Sequence, residues 1–263
     1  MTSAPSSYKP RYGAAYPSLV DSVVLVTGGG SGIGEEIVRQ FARQGSKVGF
    51  IDIIEEPSRA LVAELEAEGC TVVFEKADLT DIDATRAAIE VIRAMLGPIV
   101  MLVNNAANDQ RATIDEITPE FWDSRQAVNL KHQFFCAQAV YKDMAALGGG
   151  SIVNVGSFAY VAGVEGLTPY LAAKSGVIGL TRGLARELGP HGIRVNCVMP
   201  GWIMTQRQLD LWVTPEVEQA IYTRQCLKRK IYPADIARVI LFFASDESGA
   251  CTNQTYVADG GWT

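Results

Sequence analysis

A glycine-rich turn near the start of the chain lies between two apolar segments and reads Thr27-Gly28-Gly29-Gly30-Ser31-Gly32-Ile33-Gly34. The continuous apolar run 23–26 before the turn is typical of a buried strand, and the apolar spacing over 35–42 predicts an amphipathic helix. Glycine lets a ligand approach the backbone closely, and free N–H groups at a helix start bind negative charge. Other tight loops also contain glycine, but a turn between strand and helix favours a site for a dinucleotide pyrophosphate.

Short apolar runs alternate with helical patterns along the rest of the chain. The runs occur at 23–27, 47–52, 71–77, 99–104, 151–155, 194–198 and 254–258, and the helical patterns include 58–68, 82–96, 119–147 and 169–188. Continuous apolar runs are typical of parallel strands buried on both faces. The alternation therefore predicts an α/β protein, a single-domain doubly wound (Rossmann) fold with a seven-stranded parallel sheet.

The chain divides into an N-terminal extension and one domain. Residues 1–18 are rich in Ser, Pro, Tyr and Ala, show no periodicity and lack the apolar core of a secretory signal, which predicts a flexible extension. Residues 19–263 are predicted to form a dinucleotide-binding catalytic domain. Its less regular stretch 201–232 follows the sixth strand, where it is expected to cover a substrate at the carboxyl edge of the sheet.

Composition narrows the possible partners and the cellular location. The net charge of −6 argues against a nucleic-acid partner, and no apolar stretch approaches the ~20 residues of a membrane span. The five cysteines are scattered without a C-x-x-C pair, and there are only two histidines, His132 and His191. We interpret the cysteines as reduced buried thiols of a cytoplasmic protein without a metal site, and both histidines as surface or interface residues.

Three strand ends carry polar or small residues that suit a dinucleotide. Asp52 ends the second strand, 18 residues after Gly34, where a carboxylate accepts hydrogen bonds from the adenosine ribose and repels a 2′-phosphate. This favours NAD over NADP; the alternative is that Asp52 caps the next helix. Asp78 follows the third strand, near the expected adenine edge, with a helix N-cap as its alternative. Asn104-Asn105-Ala106-Ala107 closes the fourth strand and leaves room for the nicotinamide ribose.

Ser157, Tyr170 and Lys174 form the chemically most informative set. Tyr170 and Lys174 lie four residues apart, on one face of a predicted helix, and Ser157 follows the fifth strand. A phenol with a pKa near ~10 is a poor base at neutral pH. A nearby ammonium and the positive charge of an oxidised nicotinamide favour the phenolate, so we expect a lowered pKa for Tyr170. A Y-x-x-x-K pair alone is weak evidence, but it gains weight beside the glycine turn, Asp52 and Ser157.

From about residue 18 to its end, the chain resembles a short-chain dehydrogenase/reductase. The matching motifs are T-G-x-x-x-G-I-G at 27–34, N-N-A at 104–106, Asn129 in V-N-L, Ser157, Tyr170 with Lys174, and Pro200-Gly201 leading to Thr205. The chain departs from the family pattern at Ala107, where glycine is usual. The resemblance implies a homotetramer with helices around Asn129 and Tyr170 between subunits. It also implies that Asn129 holds a water linking Lys174 to solvent, and that Ile203 and Thr205 lie near the nicotinamide carboxamide.

The residues and the resemblance together define the expected site. The expected catalytic residues are Asn129, Ser157, Tyr170 and Lys174. The expected NAD-binding residues are Gly28, Ser31, Gly32, Ile33, Gly34, Asp52, Ile53, Asp78, Leu79, Asn105, Ala106, Tyr170, Lys174, Pro200, Ile203 and Thr205.

Within this family, the chain shows a closer similarity to bacterial sugar dehydrogenases of the D-xylose and L-arabinose 1-dehydrogenase type. The similar stretches are 104–111, 128–132, 225–231 and 258–262. The similarity implies NAD-dependent oxidation of an aldose, a pentose such as D-xylose or L-arabinose or a related deoxyhexose, at C1 to the aldonolactone. Candidate substrate contacts are Asn108, Asp109, Arg111, Glu165, Trp202, Arg207 and Gln208.

Two alternatives remain at this point. The first is a dehydrogenase of another secondary alcohol or of a 2-keto-3-deoxy sugar acid, whose carboxylate would suit Arg111 or Arg207. The second is a non-catalytic dinucleotide-binding protein, although the intact set of Ser157, Tyr170 and Lys174 argues against it.

Overall fold

The computed structural model describes residues 13–263 and contains one parallel sheet of seven strands. The strands are β1 Val23–Thr27, β2 Lys47–Asp52, β3 Val72–Lys76, β4 Met101–Asn104, β5 Gly150–Val155, β6 Ile193–Pro200 and β7 Thr255–Ala258. Their order across the sheet is β3-β2-β1-β4-β5-β6-β7, and every neighbouring pair is parallel. The predicted seven-stranded parallel sheet is therefore confirmed.

Ten α-helices connect or follow the strands in the described part of the chain. They are α1 Gly32–Arg43, α2 Glu55–Ala67, α3 Ile82–Leu96, α4 Pro119–Gln126, α5 His132–Ala146, α6 Ala159–Ala162, α7 Thr168–Leu188, α8 Gln206–Leu211, α9 Pro215–Arg224 and α10 Pro233–Ala244. Within residues 13–263, none of these helices combines the length and the apolar character needed to cross a membrane.

The side chains of β1 alternate between two hydrophobic cores, one on each face of the sheet. Val24 and Val26 pack into a core that includes residues of α1 and α10, whereas Val23 and Leu25 pack into one built with α3, α5 and α7. This alternation follows from the two-residue period of a strand. Helices therefore cover both faces, which is the doubly wound arrangement expected from the sequence.

The direction of winding reverses between β1 and β4, which are neighbours in the sheet. In open parallel sheets, a crevice forms at the carboxyl ends of the strands at such a switch point. The glycine turn after β1 and the residues after β4 therefore lie at the same edge. This edge carries the candidate site.

The outer strands differ from the expectation of burial on both faces. The first three residues of β7 are exposed, and most of β3 is only half-buried. Each of these strands has a neighbour on one side only, so helices cover them less completely than β1, β4 and β5.

The helix expected over 119–147 contains a π-helical turn at Ala127–Lys131, between α4 and α5. This turn places His132 in the interior, so the expected surface or interface position of His132 is wrong. Burial lowers the pKa of His132 to about 3, which keeps its ring neutral. His191 is exposed as expected.

The cysteines are less uniformly buried than expected. Cys136 and Cys197 are buried and Cys226 is exposed, while Cys70 and Cys251 are intermediate; all five are free thiols. The expectation of buried thiols is therefore wrong for Cys226, which lies in the irregular segment after α9.

Only part of the expected N-terminal extension can be compared with the structure. Residues 1–12 lie outside the described residues. Within 13–18, the side chain of Gln44 bonds to the backbone at both Ala14 and Tyr16, and Pro17–Leu19 forms a 3₁₀ turn. This stretch is therefore held against the end of α1. The expected covering segment 201–232 contains the helices α8 and α9.

Candidate active site

The glycine turn packs so tightly that several of its glycines, Gly28 and Gly34 among them, have no room for a side chain. A Cβ on Gly34 would lie 1.7 Å from the carbonyl oxygen of Gly28, and a Cβ on Gly28 would lie 2.7 Å from the Cα of Ala106. Gly28 and Gly32 also have positive φ angles of 69° and 59°. These glycines therefore bring the backbone of the turn into direct contact with the residues after β4.

The start of α1 leaves N–H groups available to an anion. Ser31 is the N-cap residue, but its side chain makes no capping hydrogen bond. The first N–H groups of a helix have no partner within the helix, and they carry the positive end of its dipole. This arrangement suits the pyrophosphate of a dinucleotide.

Asn105 and Thr27 join the two sides of the crevice. The amide of Asn105 donates to the carbonyl oxygens of Thr27 and Gly28, at 3.2 and 3.0 Å. In return, the hydroxyl of Thr27 accepts from the backbone N–H groups of Asn105 and Ala106, at 3.0 and 3.2 Å. The positions of the glycine turn and of the loop after β4 are therefore fixed relative to each other.

The Asp52 carboxylate lies at the end of β2, only 7% exposed. It accepts hydrogen bonds from the N–H groups of Gly30, at 2.8 Å, and Ile54, at 3.0 Å. Ile54 is itself the N-cap of α2, so Asp52 does not cap this helix. Two donors leave acceptor positions on the carboxylate for the hydroxyls of a ribose.

The Asp78 carboxylate accepts hydrogen bonds from the backbone N–H and the hydroxyl of Thr80, at 2.9 and 2.8 Å. The N-cap of α3 is Asp81, which accepts from the N–H groups of Asp83 and Ala84. The capping alternative for Asp78 is therefore wrong. Asp78 instead stabilises the turn after β3.

A cavity of about 740 Å³, here called the cofactor cavity, runs along the carboxyl edge of β1, β2 and β4. Most of the expected NAD-binding residues line it, namely Gly28, Ser31, Gly32, Ile33, Gly34, Asp52, Ile53, Asp78, Leu79, Asn105, Ala106 and Thr205. The glycine turn, the free helix start and the Asp52 carboxylate together fit a dinucleotide.

A smaller cavity of about 180 Å³, here called the substrate pocket, adjoins the cofactor cavity. Both cavities share Ile33, Asn105, Ala107 and Thr205 in their linings. The substrate pocket also contains the expected residues Asp109, Arg111, Ser157, Tyr170, Lys174, Pro200, Trp202, Ile203 and Gln208. A ligand that fills the cofactor cavity therefore borders the pocket that holds the three reactive side chains.

The reactive side chains come from α7 and from the loop after β5. Lys174 is 1% exposed, and its ammonium donates to the carbonyl oxygen of Val155 at 2.8 Å. Its Nζ lies 5.8 Å from the centre of the Tyr170 ring. The Ser157 hydroxyl hydrogen-bonds to Tyr170 and accepts from the N–H of Ala159 at 3.1 Å. Ser157, Tyr170 and Lys174 thus converge as the sequence predicted.

In the chain by itself, the pKa of Tyr170 is raised, whereas the sequence analysis expected it to be lowered. Its pKa is raised to about 12, chiefly by burial and to a smaller extent by the negative charge of Asp109, while the Ser157 hydrogen bond lowers it. Burial also lowers the pKa of Lys174 to about 8. Burial is thus the dominant influence on the pKa of both groups. A lowered Tyr170 pKa consequently depends on a further positive charge, such as that of an oxidised nicotinamide.

The side chain of Asn129 is fully buried and bonded to the backbone of a neighbouring loop. Its Oδ1 accepts from the N–H of Asn108 at 2.9 Å, and its Nδ2 donates to the carbonyl oxygens of Asn108 and Arg125. Asn129 lines neither cavity. Its amide therefore positions the loop after β4, and the water that the resemblance implies stays a prediction.

Three expected substrate contacts lie elsewhere. Glu165 lies in the exposed turn between α6 and α7 and lines neither cavity. Asn108 and Arg207 line the cofactor cavity instead of the substrate pocket. The structure also adds residues that the sequence analysis missed, including Ser124 and Arg125 in the cofactor cavity and Phe158 in the substrate pocket. Arg125 precedes Asn129 by one helical turn, a spacing that could have indicated its position.

Comparisons with known proteins agree with this geometry. Residues 28–263 match the family model described as enoyl-(acyl carrier protein) reductase. The chain is 47% identical over 249 residues to D-xylose 1-dehydrogenase from Caulobacter vibrioides, covering 95% of this chain and 98% of that protein. It is 48% identical over 247 residues to a Rhizobium meliloti protein described as a probable galactose dehydrogenase, covering 94% and 96%.

Solved structures show the same fold. A 7α-hydroxysteroid dehydrogenase in complex with NADH and 7-oxo glycochenodeoxycholic acid has a TM-score of 0.88 and 29% identity, covering 93% of this chain and 96% of that one. A 3-oxoacyl-[acyl-carrier protein] reductase from Brucella melitensis has a TM-score of 0.88 and 33% identity, covering 94% of each chain. With its nicotinamide dinucleotide site and its Ser157, Tyr170 and Lys174, the chain belongs to the short-chain dehydrogenase/reductase family and is an oxidoreductase acting on CH–OH groups.

Proposed function

We propose that the protein oxidises a neutral aldose at C1 to the aldonolactone and uses NAD as the electron acceptor. The observation that carries this proposal is the convergence of Ser157, Tyr170 and Lys174 in the substrate pocket, in a chain 47% identical to a D-xylose 1-dehydrogenase. Pentoses such as D-xylose and L-arabinose, and hexoses such as D-galactose, are the first candidates.

Tyr170 is the proposed base. As phenolate, its oxygen takes the proton of the C1 hydroxyl, and the Ser157 hydroxyl donates to the same substrate oxygen. Lys174 holds the ribose next to the nicotinamide and favours the phenolate through its charge. When bound, the dinucleotide supplies the two-electron acceptor for the reaction.

A neutral substrate is favoured because both arginines near the pocket already have partners. Arg207 donates to the Asp109 carboxylate at 3.2 and 3.1 Å, and the guanidinium of Arg111 lies 3.9 Å from the centre of the Trp212 ring. A sugar acid needs a cation for its carboxylate, which these two side chains provide only after giving up those contacts.

A substrate panel tests the proposal. Neutral aldoses (D-xylose, L-arabinose and D-galactose) and 2-keto-3-deoxy sugar acids are compared by NADH absorbance, with the lactone identified by mass spectrometry. We expect turnover of at least one neutral aldose and at least tenfold lower kcat/KM for the acids. Turnover confined to the sugar acids would overturn the choice of substrate. Binding of NAD without turnover of any polyol or sugar would support a non-catalytic protein instead.

The choice of NAD rests on the Asp52 carboxylate at the edge of the cofactor cavity. We expect Asp52→Asn to weaken NAD use and to improve NADP use, because it removes a charged acceptor for the ribose and a charge that repels a 2′-phosphate. A hydrogen bond to a charged group contributes about 1.5–3 kcal/mol, so the ratio of the two kcat/KM values should change by roughly 10- to 100-fold.

The matched control for this variant is Glu56→Gln, which removes an equal charge from the exposed surface of α2. It should leave the ratio unchanged. An unchanged ratio in Asp52→Asn as well would contradict the assignment of NAD.

A homotetramer is also part of this proposal. The helices on either side of Asn129 expose aromatic side chains, namely Trp122 on α4, 39% exposed, and Phe134 on α5, 38% exposed. Such side chains suit burial between subunits. Light scattering after size-exclusion chromatography should give four times the chain mass of 28.4 kDa. A monomer mass would exclude the assembly.

A further inference from the structure

The Asp109 carboxylate connects two walls of the active site that are far apart in sequence. Asp109 lies in the loop after β4, and its Oδ1 accepts from the Nε and Nη2 of Arg207 at 3.2 and 3.1 Å. Its Oδ2 accepts from the Nε2 of Gln208 at 2.9 Å. Both donors belong to α8 in the covering segment. We call these three side chains the Asp109 bridge.

The bridge spans the boundary between the two cavities. Asp109 and Gln208 line the substrate pocket, whereas Arg207 lines the cofactor cavity. The charge of the carboxylate thus faces the substrate pocket, and the guanidinium that balances it lies on the other side. A substrate in the pocket therefore meets an acceptor group and a negative charge.

Further contacts fix the loop that carries Asp109. On one side, Asn129 bonds to both the N–H and the carbonyl oxygen of Asn108. On the other side, Arg111 lies over the Trp212 ring and the N–H of Ala112 donates to the carbonyl oxygen of Gly166 at 3.0 Å. The carboxylate is thus held in place before a ligand arrives, which lowers the entropy cost of recognising one.

The carboxylate still has room for a substrate hydroxyl. A carboxylate offers about four acceptor positions, and the bridge uses three of them. The Asp109 side chain keeps 26% of its surface exposed. A hydroxyl group can donate to the remaining position, whereas a second carboxylate there would be repelled.

We propose that Asp109 is a specificity-determining residue that accepts a hydrogen bond from a hydroxyl of a neutral sugar and excludes anionic sugars, with Arg207 and Gln208 as its positioning residues. The inference rests on the proposed function, because it takes the substrate to be a sugar. Beyond the proposed function, the inference assigns the discrimination between neutral and acidic sugars to the Asp109 carboxylate.

The bridge also affects the base. Burial is the largest cause of the raised pKa of Tyr170; the Ser157 hydrogen bond lowers this pKa, and the charge of Asp109 raises it. The other charged and titratable groups near this point are Lys174 on α7, with Cys197 of β6 and the neutral His132 close to its ammonium, and the guanidinium groups of Arg111 and Arg207. Of these groups, only Asp109 carries a negative charge at neutral pH. Changes to the bridge should therefore change the pH dependence of turnover.

Two variants with opposite effects test the inference. Asp109→Asn removes the charge, and Arg207→Gln leaves the charge without its balancing cation. We expect Asp109→Asn to lower kcat/KM for the preferred aldose by roughly 10- to 100-fold and to reduce the discrimination against the corresponding uronate by at least tenfold. D-galactose with D-galacturonate and D-glucose with D-glucuronate are suitable pairs, since each pair differs only at C6.

The pH profile is the second readout, which a purely structural role would not produce. The acid limb of kcat/KM should move to lower pH in Asp109→Asn and to higher pH in Arg207→Gln. Asp115→Asn removes an equal charge from an exposed site after the same loop and should change neither readout. The melting temperature, measured with and without NAD, identifies a variant that no longer folds or no longer binds NAD.

The outcomes separate the inference from the proposed function. If the unmodified protein oxidises no aldose, the proposed function fails. If it oxidises an aldose and folded Asp109→Asn keeps both the discrimination and the pH profile, only the inference fails. If Asp109→Asn does not fold, an unchanged pH profile in Arg207→Gln overturns the inference.

Discussion

Tyr170→Phe should lower kcat for the aldose by roughly 100- to 10,000-fold, which is the range that general acid–base catalysis contributes. The variant removes one oxygen atom and keeps the ring beside the Lys174 ammonium. We therefore expect NAD binding and thermal stability to stay close to those of the unmodified protein, measured by fluorescence titration and by melting.

Tyr160→Phe is the matched control. Tyr160 is half-buried near the site, but its hydroxyl donates to the sulfur of Met199, at 3.9 Å, and it does not line the substrate pocket. Its loss should change kcat less than twofold. If Tyr170→Phe retained as much activity as Tyr160→Phe, Tyr170 would not be the base.

Lys174→Met should have opposite effects on stability and on activity. Burial lowers the pKa of Lys174 to about 8 from 10.5, so at pH 7 the folded protein holds an ammonium that its surroundings disfavour. One pKa unit corresponds to about 1.4 kcal/mol, and part of the gain is lost with the bond to Val155, so we expect the free energy of unfolding to rise by about 1–3 kcal/mol. Turnover should fall by roughly 100-fold or more.

The pH dependence of stability provides an independent check on Lys174. Between about pH 8 and 10.5 the unfolded chain keeps a proton that the folded chain has lost, so the contribution of Lys174 to stability increases with pH in this window. Lys174→Met should lack this increase. Lys142→Met, which changes an exposed lysine on α5, should behave like the unmodified protein in both measurements. A Lys174→Met variant that is less stable than the unmodified protein would contradict the conclusion that burying the Lys174 ammonium costs stability.

The fold and the cofactor cavity could be predicted from the sequence because their signals are local. The buried strands are rich in apolar residues, most clearly in the run 23–26 of β1, and the turn at Gly28–Gly34 depends on glycines that are close together in the chain. Tyr170 and Lys174 could be paired for the same reason, since one helical turn separates them. In each case the spacing along the chain determines the geometry.

Other features depend on contacts that spacing does not reveal. Asp109 and Arg207 are 98 residues apart, so nothing in the sequence pairs them, and both were expected to contact the substrate directly. The raised pKa of Tyr170 comes from burial by surrounding elements, which a motif does not measure. The π-helical turn before His132 adds a single residue to a helix, and this change leaves the apolar pattern almost intact.

That π-helical turn has a consequence for chain length in this region. A π-helical turn holds one residue more than the α-helical turn it replaces, so deleting one residue from Ala127–Lys131 would convert the segment into a continuous α-helix and redirect the Asn129 side chain. Asn129 would then lose its bonds to the loop that carries Asp109. Functional homologues should therefore accept insertions and deletions in the exposed turn at 147–149, and conserve the residue count between Arg125 and His132.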